Sequence, residues 1–161
     1  MNPVVSKADW NRPVPDEGSV AELAAGFARR IRAPFVIYLE GELGAGKTTF
    51  ARAYIQALGF GGYVKSPSYG LLESYEVAGI TVLHLDLYRI EDPEELEYLA
   101  LRDLFDINCV LMVEWPRKGT DHLPAPDLEL EFNEDNKSRF VSSFAKTTAG
   151  FELIQAVLQD F

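Results

Sequence analysis

The stretch Gly41-Glu42-Leu43-Gly44-Ala45-Gly46-Lys47-Thr48 constrains this chain more than any other. It fits G-x-x-x-x-G-K-[ST], the phosphate-binding loop. The glycines of the pattern permit a tight turn that a Cβ would resist. Successive backbone N–H groups then face one concavity suited to an anion. Lys47 brings a rotatable cation able to reach β- and γ-phosphates, and the Thr48 hydroxyl is a ligand type that Mg²⁺ accepts. A pattern this short arises by chance on the order of once in a few hundred chains, so its surroundings matter. Phe35-Val36-Ile37-Tyr38-Leu39 precedes it as a continuous apolar run, as a buried parallel strand requires. Phe50, Ala51, Tyr54, Ile55 and Leu58 follow at helical spacing and stop at Gly59. Strand, loop and helix is the order the motif needs.

With 161 residues, one domain is expected. Residues 1–18 hold three prolines and no periodicity, and read as an extended N-terminal arm before a single domain over residues 19–161. Ser19-Val20-Ala21-Glu22 resembles a capping box, and Val20, Leu23, Ala24, Phe27 and Ile31 give a helix over 20–32 one apolar face. Residues 71–75 and 80–85 read as a strand hairpin, so the sheet is mixed. Asp92-Pro93-Glu94-Glu95 is a helix start, with the cap, the proline and two acids in their preferred places. Cys109-Val110-Leu111-Met112-Val113 is a second buried run. Residues 128–132 and 140–144 form another hairpin, and Thr148 precedes a last helix.

The lone cysteine, Cys109, excludes an intramolecular disulfide and suits a reducing compartment. No signal-peptide core and no bilayer-length apolar run is present, so the expected location is cytoplasmic, with no membrane partner. The formal net charge of −10 opposes direct binding of nucleic acid.

A phosphate loop needs a carboxylate at the carboxyl edge of the sheet to organise a metal and an attacking water. Asp86 follows one apolar strand and Glu114 another. Which of them serves the metal and which the water stays open. His84 lies between Leu83 and Leu85, as fitting for a core or interface histidine as for a catalytic one. Arg89 follows Asp86 by three residues and suits either a phosphate or a neighbouring acid.

Guanine-specific GTPases carry D-x-x-G and N-K-x-D. Here Asp86-Leu87-Tyr88-Arg89 lacks the glycine, and Asn136-Lys137-Ser138-Arg139 ends without the carboxylate that guanine needs, which favours ATP. Four segments together resemble one family, the bacterial TsaE (YjeE-like) ATPases of tRNA threonylcarbamoyladenosine synthesis. They are residues 41–49, Ser66-Pro67-Ser68-Tyr69, His84-Leu85-Asp86-Leu87-Tyr88-Arg89 and Glu114-Trp115-Pro116. The departure is Ser68-Tyr69, where the family has Thr-Phe. The resemblance spans about residues 19–118 and implies a three-layer α/β P-loop NTPase with a mixed, mostly parallel sheet. It implies that Glu42, Leu43, Gly44, Ala45, Gly46, Lys47, Thr48, Thr49 and Trp115 hold ATP. Thr48, Glu114 and Asp86 would serve Mg²⁺, with Lys47, Asp86 and Glu114 catalytic and residues 66–69 sensing the nucleotide. It further implies a weak ATPase that depends on partner proteins TsaB and TsaD and reaches tRNA only through them. The rival readings are a small-molecule kinase, which would need an arginine-bearing lid, and an ATP-binding module without turnover.

Overall fold

The computed structural model describes residues 9–67 and 70–161. In chain order the strands are β1 (Trp10–Pro13), β2 (Phe35–Gly41), β3 (Leu72–Val77), β4 (Ile80–Asp86), β5 (Cys109–Glu114), β6 (Leu128–Asp135) and β7 (Ser138–Ala145). The helices are α1 (Glu17–Arg30), α2 (Lys47–Ala57), α3 (Leu101–Leu104) and α4 (Thr148–Leu158), with 3₁₀ segments at Pro93–Leu99 and Pro116–His122.

All seven strands form one sheet in the order β1-β7-β6-β2-β5-β4-β3. The central pairings β6–β2, β2–β5 and β5–β4 are parallel, and β3–β4, β6–β7 and β1–β7 are antiparallel. Only β3 and β7 therefore run against the rest, which makes the sheet mixed and mostly parallel, as the sequence suggested. The apolar runs of β2 and β5 lie at its centre, where both faces are covered. Alternation then sorts their side chains. Ile37, Leu39, Val110 and Met112 join the core under α1, α2 and α4, while Val36, Tyr38, Leu111 and Val113 pack on the opposite face with Leu96 and Leu101. That third layer consists of 3₁₀ turns and the single turn α3 rather than long helices.

Several boundaries differ from expectation. The described part of the anticipated arm is built into the domain: β1 pairs with the outer edge of β7, and Val14 is buried. Helix α1 starts three residues before Val20, because the Asp16 carboxylate accepts the Ser19 N–H at 2.7 Å. The Ser19–Glu22 segment thus lies inside the first turns instead of capping them. Thr147, not Thr148, caps α4 by accepting the Gly150 N–H at 3.1 Å. Asp92 and Pro93 do open a helix, but a 3₁₀ one, and left-handed Ala100 (φ 50°) ends it. Both hairpins turn through two residues of positive φ, Ala78–Gly79 and Asn136–Lys137, matching the right-handed twist of their strands. Among the described residues no helix is long and apolar enough to cross a membrane.

Candidate functional site

Strand β2 ends at Gly41, and the chain turns through Gly44 (φ 79°) and Gly46 (φ 116°) into α2. Gly46 occupies the N-cap position and offers no side-chain acceptor. The first-turn N–H groups and the positive end of the helix dipole are therefore left for an anion. Lys47 is 4 % exposed. Its ammonium donates to the Gly41 carbonyl and, at 2.9 Å, to the Glu42 carbonyl. An ammonium has three donors, so a third remains for a phosphate oxygen. Burial pulls the Lys47 pKa below the usual lysine value, against Glu114, Asp86, Glu40 and Glu42, which pull it up.

The parallel register of β4 and β5 sets Asp86 beside Glu114 at the carboxyl edge of the sheet. Both are buried, at 5 % and 2 % exposed. The Thr48 hydroxyl donates to Glu114 Oε1 at 2.8 Å, with Oε2 at 3.1 Å. Asp86 Oδ1 accepts the Tyr88 N–H at 3.0 Å, a turn bond that fixes the chain leaving β4. Trp115 takes a left-handed conformation (φ 57°) directly after β5. Its indole then lies over the Lys47 ammonium, 4.1 Å from nitrogen to ring centroid.

These groups surround a cleft of about 410 Å³. Of the residues expected to hold a nucleotide, Leu43, Gly44, Gly46, Lys47, Thr48, Thr49 and Trp115 line it, together with Asp86, Glu114 and Ser66. Glu42 and Ala45 do not; they face the groove between the loop and Asn133 and Glu134 on β6. Leu43 is 68 % exposed at the loop tip, so any role in binding falls to its backbone. Arg89 is exposed and does not line the cleft. Ser68 and Tyr69, the remainder of the expected sensing loop, lie outside the described residues.

His84 is the site residue that sequence reasoning left undecided. It is fully buried, and its Nε2 lies 2.7 Å from Glu114 Oε2. The signal was its spacing, two residues before Asp86 and so on the same face of β4. The missing information was the register against β5, which a single sequence does not supply.

Mg²⁺ suits this donor set. It takes hard oxygen ligands, keeps several waters and shares substrate phosphates instead of needing a cage of protein groups. Thr48 and Glu114 offer such oxygens beside the phosphate loop, and no cluster of three or more acidic, histidine or cysteine ligands occurs among the described residues.

Comparison with known proteins bears on the fold and the family. A solved structure of YdiB from Bacillus subtilis superposes with a TM-score of 0.80 at 22% identity, covering 96% of this chain and 98% of that one, and so shares the fold. The Haemophilus influenzae protein named tRNA threonylcarbamoyladenosine biosynthesis protein TsaE is 38% identical over 148 residues, 89% of this chain and 94% of its own. A Bacillus subtilis protein of the same name is 36% identical over 122 residues, 75% of this chain and 74% of its own. The sequence profile described as "Threonylcarbamoyl adenosine biosynthesis protein TsaE" matches residues 14–141, most of the domain and all four motif segments, and the chain belongs to the TsaE family.

Proposed function

We propose that this chain is a P-loop NTPase that binds ATP with Mg²⁺ and hydrolyses it in support of tRNA threonylcarbamoylation. The observation that carries the reading is the contact between the Thr48 hydroxyl and the Glu114 carboxylate, one residue beyond a lysine already seated on its loop. Glu114 is the metal-side carboxylate in this reading, because the Thr48 hydroxyl donates to it at 2.8 Å. Mg²⁺ bound there would neutralise charge on the β- and γ-phosphate oxygens. Lys47 holds those phosphates from the loop side, and the α2 N-terminus supplies N–H donors. Asp86, beside Glu114 and lining the same cleft, would orient the attacking water. The Trp115 indole lies over the Lys47 ammonium and would help to shield it from solvent.

Family membership and the names of the relatives support the tRNA-modification role. The acidic balance, −10, supports an accessory subunit that reaches tRNA through a partner, and the family resemblance makes TsaB and TsaD the partners proposed. Fast phosphoryl transfer also tends to need a further cation, often supplied in trans. The test is steady-state phosphate release by the chain alone, with tRNA, and with a TsaB–TsaD complex. Slow release alone and stimulation only by the complex are expected. Lys47→Ala should abolish turnover and weaken ATP binding by about 1.5–3 kcal/mol. Glu114→Gln should lose the Mg²⁺ dependence of binding, whereas Asp86→Asn should bind ATP·Mg²⁺ normally and turn over poorly. Undiminished hydrolysis by Lys47→Ala would remove the proposal, and transfer of phosphate to an added acceptor would replace it with a kinase.

A further inference from the structure

Strand alternation gives Val82, His84 and Asp86 one face of β4, and gives Val110, Met112 and Glu114 the same face of β5. The apolar members of both stripes lie in the core under α1 and α2. At the carboxyl edge the stripes turn polar, beneath the first turn of α2. His84 stands opposite Met112 and reaches diagonally to Glu114, Nε2 to Oε2 at 2.7 Å. Its other nitrogen, Nδ1, is buried without a hydrogen-bond partner among the described residues. That asymmetry selects a tautomer. A proton on Nδ1 would be a buried donor with no acceptor, which is costly. A proton on Nε2 is donated to Glu114 and leaves only a lone pair unmet.

The Glu114 carboxylate is thus held from two sides, by the Thr48 hydroxyl and by the His84 ring. Without the ring, its second oxygen would be buried with no donor from β4. Lys47 lines the same cleft and carries a charge that acts on Glu114. A carboxylate that swung away from Thr48 would leave the metal side of the site, while Lys47 stays seated on the Gly41 and Glu42 carbonyls.

We infer that His84 is a positioning residue that locks the Glu114 carboxylate toward Thr48, and so sets the affinity of the site for its divalent cation. The inference rests on the ATP–Mg²⁺ reading above. His84 lies behind Glu114, off the cleft lining. Removing it should therefore act on the metal and leave metal-free nucleotide binding alone.

The experiment uses the full chain and a fluorescent ATP analogue, titrated in EDTA and then with MgCl₂ at fixed analogue. His84→Phe keeps a ring of similar volume and loses the donor. His84→Gln places an amide N–H near the position of Nε2. Thermal melting in the absence of ligand establishes that each variant folds; His84→Met replaces His84→Phe if the latter does not. The Phe variant should require about 10–100-fold more Mg²⁺ for half-saturation. Its affinity in EDTA should stay within about twofold of the parent, and the Gln variant should recover most of the Mg²⁺ response. A Phe variant that titrates with Mg²⁺ like the parent overturns the inference, as does one that loses affinity equally in EDTA. A parent protein that binds no ATP analogue at all overturns the underlying ATP reading, and this inference with it.

Discussion

Single residues in the loop differ in what holds them. Gly41 has φ +147°, and a Cβ there would meet the Phe132 carbonyl oxygen at 2.8 Å and its Cβ at 3.0 Å. Gly41 is paired directly with Phe132 across the β2–β6 ladder, so neither backbone can yield without parting the strands. Gly44 also has positive φ (+79°), but a Cβ there meets nothing within 4 Å. Gly41→Ala should therefore shift the whole loop, costing about 2–3 kcal/mol of stability and at least tenfold in ATP affinity. Gly44→Ala should cost only about 1 kcal/mol of left-handed strain. Thermal melts and ATP titrations of the two variants side by side decide this; equal losses would mean that strain alone, not the β6 backbone, shapes the loop. The motif names Gly41 and leaves Gly44 at an open position. The identity of the strand that crowds one of them is information of the fold.

Elements on the flank of the sheet make a different kind of claim. β1 covers the outer edge of β7, which would otherwise present unpaired backbone groups. Trp10 packs its ring 6.4 Å from Phe27 of α1 and 6.1 Å from Phe161 at the chain end. Arg12 sits over the same Phe161 ring at 4.0 Å. Trp10→Ala should lower the free energy of unfolding in urea by roughly 2 kcal/mol, with ATP affinity unchanged; loss of affinity instead would show that β1 supports the cleft. Helix α4 is seated by a backbone contact. A Cβ on Gly150 would lie 2.0 Å from the Asp127 carbonyl oxygen, and Asp127 itself accepts from Val36 N–H at 2.9 Å and from the Thr147 hydroxyl at 2.8 Å. Gly150→Ala should destabilise by about 3 kcal/mol or more, although alanine is the better helix former by about 1 kcal/mol. A stabilised variant would mean that α4 can slide.

These elements also mark what a sequence can show. β2 and β5 were legible because their apolar runs are long and uninterrupted, and both hairpins because turn residues separate alternating segments. β1 was not, since Trp10 and Arg12 alternate with only Asn11 between two proline-bearing stretches, and its pairing partner lies about 130 residues away. Asp16 lost to Ser19 as the expected cap because only the chain's entry, with Val14 buried, reveals which acceptor faces the helix start. Asp86 and Glu114 were found from their strand ends. Their adjacency, and the approach of His84, came from register.

At the scale of the whole molecule, 25 acidic residues against 15 basic ones make alkaline conditions the exposed flank. Each further proton lost adds to self-repulsion. Tyr38 concentrates this effect. It is buried at the centre of the sheet, beside Glu129 on β6, and donates its hydroxyl to the Pro124 carbonyl. Burial pushes its pKa up to about 12, with Glu129 and Glu40 adding to the shift. In the unfolded chain a tyrosine titrates near 10. A pKa raised on folding means that the contribution of Tyr38 is fully present below about pH 10 and is lost as pH rises toward 12. The corresponding loss is about 2 kcal/mol. Tyr38→Phe removes the titration but also the hydrogen bond, so at pH 7 it should be less stable by about 1 kcal/mol. Urea unfolding at pH 7, 9 and 11.5 should show the gap constant across the first two and then narrowing or reversing at the last. Because burial is the leading cause and surface repulsion is not, 0.5 M salt should lift both proteins at pH 11.5 and leave the narrowing in place, with screening acting within about a Debye length of exposed charges. A gap that stays constant to pH 11.5, or that narrows only at low salt, would assign the alkaline limb to the net charge of the surface and not to this buried phenol.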